Sequence, residues 1–278
     1  MTGAPDGFVS RWHTVDGLRL HALEWDGGPG TPVVLLPGLV TASRSMVPLT
    51  RALAGHGIHP LIPDPPGFGY SDKPRRALSL RDEAKLIAQW LAVTGCHPAG
   101  LLGNSFGSQI AAAMAASHPG KVDRLVLLSP TVDPALRRRL SWLPVPSTQV
   151  RAGHQPYDRW RIDLLARLHA AIGDDAPLRL LNVAEYGCAS LPRAASTVRI
   201  AVLEPMEPAL PDITVPTLVI RADRDHLSSP DWAGRLVRLL PGGQLARLPG
   251  VGHNAFYAHP DMVAAVAAPF FSHSGPVG

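Results

Sequence analysis

The sequence predicts an α/β fold: a mostly parallel eight-stranded sheet with helices on both faces, plus a helical cap-like insertion. Three observations predict it. Short, largely apolar runs alternate with segments of helical spacing, as expected for strands buried on both faces of a parallel sheet. The run Gly103-Asn104-Ser105-Phe106-Gly107 joins one apolar run to an alanine-rich segment, a strand, sharp turn and helix in that order. The strand pattern stops at Thr131 and resumes at Val215. Residues 1–130 and 205–278 are therefore read as the core and residues 131–204 as the insertion.

The elements follow in chain order. Phe8-Thr14 and Leu18-Trp25 alternate around Asp16-Gly17, the mark of a tight hairpin. Thr31-Leu36 is an apolar strand ended by Pro37-Gly38, and Ser45–Gly55 has helical spacing. His59-Pro63 is a short strand that runs into Asp64-Pro65-Pro66-Gly67-Phe68-Gly69-Tyr70-Ser71, a composition that only a loop accommodates. Ser79-Leu91 is an amphipathic helix with Ser79 as its N-cap. Ala99-Gly103 and Val122-Leu128 are strands on either side of the helix Ser108–Ser117. Within the insertion, Arg159-Ile172, Arg179-Tyr186 and Ala194-Leu203 have helical spacing. Val215-Ala222, a helix over Ser229-Leu240, the strand Gln244-Leu248 and a closing helix over Pro260-Phe271 complete the core. Met206 and Met262 are assigned to packing.

Composition limits the function classes. Hydrophobic residues make up 46% and charged residues 17% of 278, a globular profile. No apolar run reaches membrane-spanning length, and the N-terminus lacks a basic start followed by an apolar stretch. With only Cys96 and Cys188, two free thiols in a reducing compartment are expected, hence a cytoplasmic location. Residues 131–205 hold ten arginines, no lysine and seven acids, so most of the net charge of +4 lies there. That segment reads first as a solvated face and second as a contact for an anionic substrate or an acidic carrier protein. No basic stripe interleaved with aromatics points to nucleic acid, and no metal-ligand spacing, phosphate loop or dinucleotide fingerprint points to a metal or cofactor.

Ser105 carries the chemical reading. A serine with a glycine two residues to either side, after a strand and at a helix start, stands exposed at the sheet end; a side chain at either glycine would collide with the neighbouring strand and helix. The Phe106 N–H then points where an oxyanion would form. A serine nucleophile needs a base, and the base needs an orienting acid. His253, in the glycine-rich loop after the last strand, is the base; His13, His21, His97, His118, His169 and His273 are assigned structural or solvated roles. After the preceding strand, Asp225 is favoured as the acid. Asp223 is expected to cap the turn, and Asp133 is a remote third option. Trp142, Tyr157 and Trp160 of the insertion are candidates for lining an apolar substrate pocket.

In order along residues 8 to 272, these stretches resemble the α/β-hydrolase superfamily, in particular serine members with a helical cap. Leu35-Leu36-Pro37-Gly38-Leu39 is similar to the family's oxyanion strand and loop, and Asp64 to Ser71 to the loop after its fourth strand. Gly103 to Gly107 is similar to the nucleophile turn. Ala222-Asp223-Arg224-Asp225 and Gly252-His253 are similar to the acid and base loops. The resemblance implies Leu39 N–H as a second oxyanion donor. Two positions depart from the family pattern: Pro37 stands where histidine is usual, and Ala222 where glycine is common. A serine rather than an aspartate nucleophile implies acyl chemistry on esters, thioesters, amides or lactones, or carbon–carbon hydrolysis of diketones. It argues against dehalogenation and epoxide opening. Carboxylic-ester hydrolysis of a small, largely apolar substrate ranks first, carbon–carbon hydrolysis second, and biosynthetic cyclisation or acyl transfer third.

Overall fold

A computed structural model describes residues 4–131, 133, 134, 137, 138, 178 and 191–272. Eight strands form one sheet: β1 (Phe8–Val15), β2 (Leu18–Trp25), β3 (Thr31–Leu36), β4 (Ile58–Pro63), β5 (Ala99–Asn104), β6 (Val122–Leu128), β7 (Thr217–Ala222) and β8 (Gly243–Leu248). Their order across the sheet is β1-β2-β4-β3-β5-β6-β7-β8. The β1–β2 and β2–β4 pairs are antiparallel, and every other pair is parallel. The expected strands all form, with ends within two residues of the expected ones. Asp16 and Gly17 both take positive φ, 50° and 76°, as a two-residue hairpin turn requires.

The helices are α1 (Val47–Ala54), α2 (Leu80–Thr94), α3 (Phe106–Ser117), α4 (Leu191–Leu203), α5 (Pro230–Leu239), α6 (Ala255–Ala258) and α7 (Pro260–Ser272). The strand period distributes side chains to two cores. Val34 and Leu36 of β3, Leu101 of β5 and Leu125 and Leu127 of β6 join α2, α3 and α5 on one face. Their neighbours Val33, Leu35, Leu102, Val126 and Leu128 join α1, α6 and α7 on the other. Each fully buried aliphatic side chain contributes about 1.5–3 kcal/mol, so a register slip on any central strand would be very costly. Met206 is buried in the first core, and Met262 is partly buried against the second.

Caps fix the helix starts. Ser79 accepts a hydrogen bond from Asp82 N–H (3.1 Å) and Ser229 one from Trp232 N–H (3.1 Å), each as an N-cap. Gly95, at φ 73°, ends α2 three residues beyond the expected boundary.

Of the expected insertion, Arg159–Ile172 and Arg179–Tyr186 lie outside the described residues. The third expected helix forms as α4, starting three residues earlier than expected. Ala194 of α4 packs with Val40 and Phe68, and its Arg193 reaches the Pro74 carbonyl. These partners lie on the loops that follow β3 and β4, so α4 lies over the carboxyl end of the sheet. Glu204, just past α4, accepts the Leu80 N–H at the start of α2 (2.8 Å).

Candidate active site

Ser105 sits between β5 and α3 at φ 54°, ψ −117°, a conformation sparsely populated by residues with a side chain. The turn is locked from several sides. Ser105 N–H donates to the Leu128 carbonyl on β6 (2.9 Å), and Ser108 Oγ donates to the Gly103 carbonyl (2.7 Å). A Cβ on Gly103 would lie 2.3 Å from the Gly107 carbonyl oxygen, and a Cβ on Gly107 would lie 2.2 Å from that of Leu36. Both glycines are therefore required by the close approach of α3 to β3 and β5. The expected reason for them, collision with neighbouring strand and helix, is the observed one.

His253 and Asp225 lie in loops that are stitched together. Asp223 N–H donates to the Leu248 carbonyl (3.0 Å) and Arg224 N–H to that of Val251 (2.9 Å). Buried Arg221 donates from Nε to the Ser228 carbonyl (2.8 Å), clamping the acid loop from β7. The result is a continuous hydrogen-bonded chain: Ser105 Oγ to His253 Nε2 at 3.1 Å, and His253 Nδ1 to Asp225 Oδ2 at 2.9 Å. An ionised carboxylate only accepts, so Nδ1 carries the proton and Nε2 accepts from the serine hydroxyl. All three residues are buried, with Ser105 and His253 each 9% exposed, so the serine is not the exposed residue that the sequence predicts; its neighbours cover it.

Burial alone would raise the Asp225 carboxyl. The hydrogen bond from His253, its nearby charge and the Leu227 N–H outweigh burial and hold the group below the usual carboxylate range. Asp225 also accepts from Leu227 N–H (2.8 Å) and Ser228 N–H (3.2 Å). Here one expectation is corrected. Asp223 does not cap the turn; it is exposed and pairs with Arg221. Asp225 caps the turn with one oxygen and meets His253 with the other. Asp133, the remote alternative acid, instead accepts the Ser229 hydroxyl at the start of α5.

Gly38 lies against the nucleophile turn: a Cβ there would be 3.5 Å from both Asn104 Nδ2 and Ser105 Cβ. The loop Pro37-Gly38-Leu39 thus borders Ser105. It is held in shape by the Thr41 hydroxyl, which donates to the Gly38 carbonyl (3.0 Å), and by Val40 at φ 59°. Beneath it, Leu36, Pro37, Pro63, Pro65, Ile87 and Ile110 line a small cavity together with Glu83. Burial pushes the Glu83 carboxyl up to about 8, against the opposing attraction of Arg193.

One neighbour was not found by sequence reasoning. Thr131 Oγ1 lies 3.4 Å from Ser105 Oγ, and its carbonyl accepts from Gln109 Nε2 (2.8 Å). The available signal was positional, since the Leu128–Asn104 register carries the chain leaving β6 past the serine turn. Trp142, Tyr157 and Trp160 lie outside the described residues.

The model of the alpha/beta hydrolase fold family matches residues 31–260, which include all of these loops. The chain belongs to the α/β-hydrolase family. A segment of the polyketide synthase ThaQ of Burkholderia thailandensis is 32% identical over 254 residues, 87% of this chain but 12% of that protein. The chain therefore spans about an eighth of that relative. A 2-hydroxy-6-oxononadienedioate/2-hydroxy-6-oxononatrienedioate hydrolase of Dechloromonas aromatica is 24% identical, covering 92% of this chain and 91% of its own. Among solved α/β-hydrolase structures, an esterase from Exiguobacterium antarcticum superposes with a TM-score of 0.81 at 20% identity, covering 95% of this chain and all of the other. That likeness speaks to the fold.

Proposed function

We propose that this α/β-hydrolase is a serine hydrolase that cleaves a carboxylic ester, thioester or lactone of a small, largely apolar substrate through an acyl-enzyme. The observation that carries this reading is the hydrogen-bonded chain Ser105–His253–Asp225, with Ser105 at a positive φ beside the Gly38 loop. His253 Nε2 takes the Ser105 proton as Oγ attacks the acyl carbonyl. Asp225 holds the imidazole in the required tautomer and stabilises its cation. The Phe106 and Leu39 N–H groups donate to the tetrahedral oxyanion, each contributing about 3–4 kcal/mol. His253 then protonates the leaving group, and water activated by the same imidazole releases the acid. A thioester on an acidic carrier, which the ten arginines of residues 131–205 would suit, is one form of the substrate.

Hydrolysis of a panel of p-nitrophenyl esters by wild type and Ser105→Ala tests the proposal. A loss of at least about 10³-fold in the variant is expected, and equal rates would end the serine assignment.

A second reading is supported by the Dechloromonas relative, which hydrolyses an oxo acid rather than an ester. On that reading the substrate is a diketone and a carbon–carbon bond breaks. Turnover of a vinylogous 1,5-diketone acid, with no activity on any ester, would select it.

A further inference from the structure

A second serine, histidine and aspartate are joined in the same sense on another part of the sheet. His21 of β2 places Nδ1 2.7 Å from Asp64 Oδ2 and Nε2 3.1 Å from Ser10 Oγ of β1. His21 and Asp64 are each 1% exposed, whereas Ser10 faces solvent. Asp64 is fixed by the Ser43 N–H and the Tyr70 N–H, both at 2.8 Å. The loop from Asp64 to Ser71 wraps it so closely that a Cβ on Gly69 would lie 2.2 Å from Oδ2. A carboxylate already accepting from two backbone N–H groups serves as an acceptor, so His21 Nδ1 carries the proton and Nε2 accepts from the Ser10 hydroxyl. That is the proton arrangement of an activated serine. The base is positioned by buried groups, and the nucleophile alone is accessible.

The surroundings suit an acyl or phosphoryl donor. The rings of Trp12 and Tyr70 flank His21 at 4.9 Å and 5.1 Å, and both are more than 40% exposed. The Arg19 guanidinium lies 4.5 Å from the Trp12 ring centre, and that of Arg44 lies 5.9 Å from that of Tyr70. Aromatic faces with two nearby cations favour an apolar group that carries an electron-rich or anionic leaving group.

We propose that Ser10 is a second nucleophilic serine, activated by His21 and positioned through Asp64, which accepts acyl or phosphoryl groups from activated esters. With a dialkyl fluorophosphate, Ser10 Oγ forms a bond to phosphorus, the P–F bond breaks, and the serine proton passes to His21 Nε2 as fluoride leaves. The proposal does not depend on Ser105.

The experiment uses the full chain carrying Ser105→Ala, which removes the first nucleophile. It is exposed to diisopropyl fluorophosphate and the adduct is mapped by peptide mass spectrometry. Ser117 is the internal reference: it is exposed and touches His118 Nδ1, but its hydroxyl donates to the Ala113 carbonyl at 2.6 Å. The expected result is one adduct on Ser10, formed about 10²-fold faster than any on Ser117. Ser10→Ala in the same background abolishes it. His21→Gln, confirmed folded by its melting curve, slows it to the Ser117 rate. An unmodified Ser10, or one labelled no faster than Ser117, overturns the proposal and marks the trio as a purely structural hydrogen-bond network.

Discussion

Gly107 approaches Leu36 so closely that a Cβ on the glycine would lie 2.2 Å from the Leu36 carbonyl oxygen. That contact sets the height of α3 against β3, and with it the position of Ser105. Gly107→Ala forces the backbone to move, because the obstacle is main chain and no flexible side chain can yield. A loss of about 1–3 kcal/mol of stability is expected. The proposed ester hydrolysis should slow by about 10²-fold, since shifts of about an ångström in a reacting group cost that much. Urea melts and kcat on a p-nitrophenyl ester check both. A variant that is destabilised yet fully active would show that the site does not depend on this spacing.

Ser105→Gly should separate activity from stability. The serine's positive φ costs about 1–3 kcal/mol, and glycine relieves it while adding about 0.4–1 kcal/mol of unfolded-state entropy. The expected variant is inactive and more stable by about 0.5–2 kcal/mol. A thermal melt at or below the wild-type temperature would contradict the strain argument.

Asp225→Asn keeps the shape of the acid loop but reverses the hydrogen bond with His253, so the wrong tautomer is favoured. A kcat loss of about 10⁴-fold is expected, with little change in KM. The same variant tests linkage. The folded-state pKa of Asp225 lies below its unfolded value of about 3.9. Its contribution to stability is therefore present above that value and lost as the pH falls through the lower one. The asparagine variant should show a flatter loss of stability below pH 4.

Glu83 runs the other way. Its folded pKa of about 8 exceeds the unfolded value of about 4.3, so the group destabilises the fold progressively between those values. Glu83→Gln should gain on wild type as the pH rises from 5 to 8, and the gap should then stay level. Urea melts at pH 5 and 8.5 measure it. A gap that shrinks with rising pH would mean that the attraction of Arg193, and not burial, dominates.

The sheet was legible because its signals are local and doubly determined. Val33-Leu36 and Leu125-Leu128 are apolar enough to be strands buried on both faces, and Asp16-Gly17 forces a hairpin. Ser105 and His253 were legible because glycines stand on both sides of the first and just before the second, and each follows a strand. The acid loop was read less completely. Its position further into the loop favours Asp225 over Asp223, but the clamp from Arg221 arises from a side chain that reaches seven residues along the chain. Thr131 and the Ser10–His21–Asp64 trio depend on contacts across strands, between residues up to 43 positions apart. No periodicity or short motif records such contacts.

The chain leaves the sheet after Leu128 and returns to the strand beside it, where Leu128 is in register with Ile220. The two strands are parallel and Leu125 faces Thr217, so the sheet fixes the two ends of this excursion relative to one another, at opposite ends of the strand pair. Lengthening such a loop is cheap, about 0.6 kcal/mol per doubling. A scaffold of this kind has a natural graft point: the segment between β6 and β7 can be exchanged for another of different length while Ser105, Asp225 and His253 keep their anchors. Evolution, or a chimera built at these two strand ends, can then change which molecule is received without rebuilding the residues that attack it.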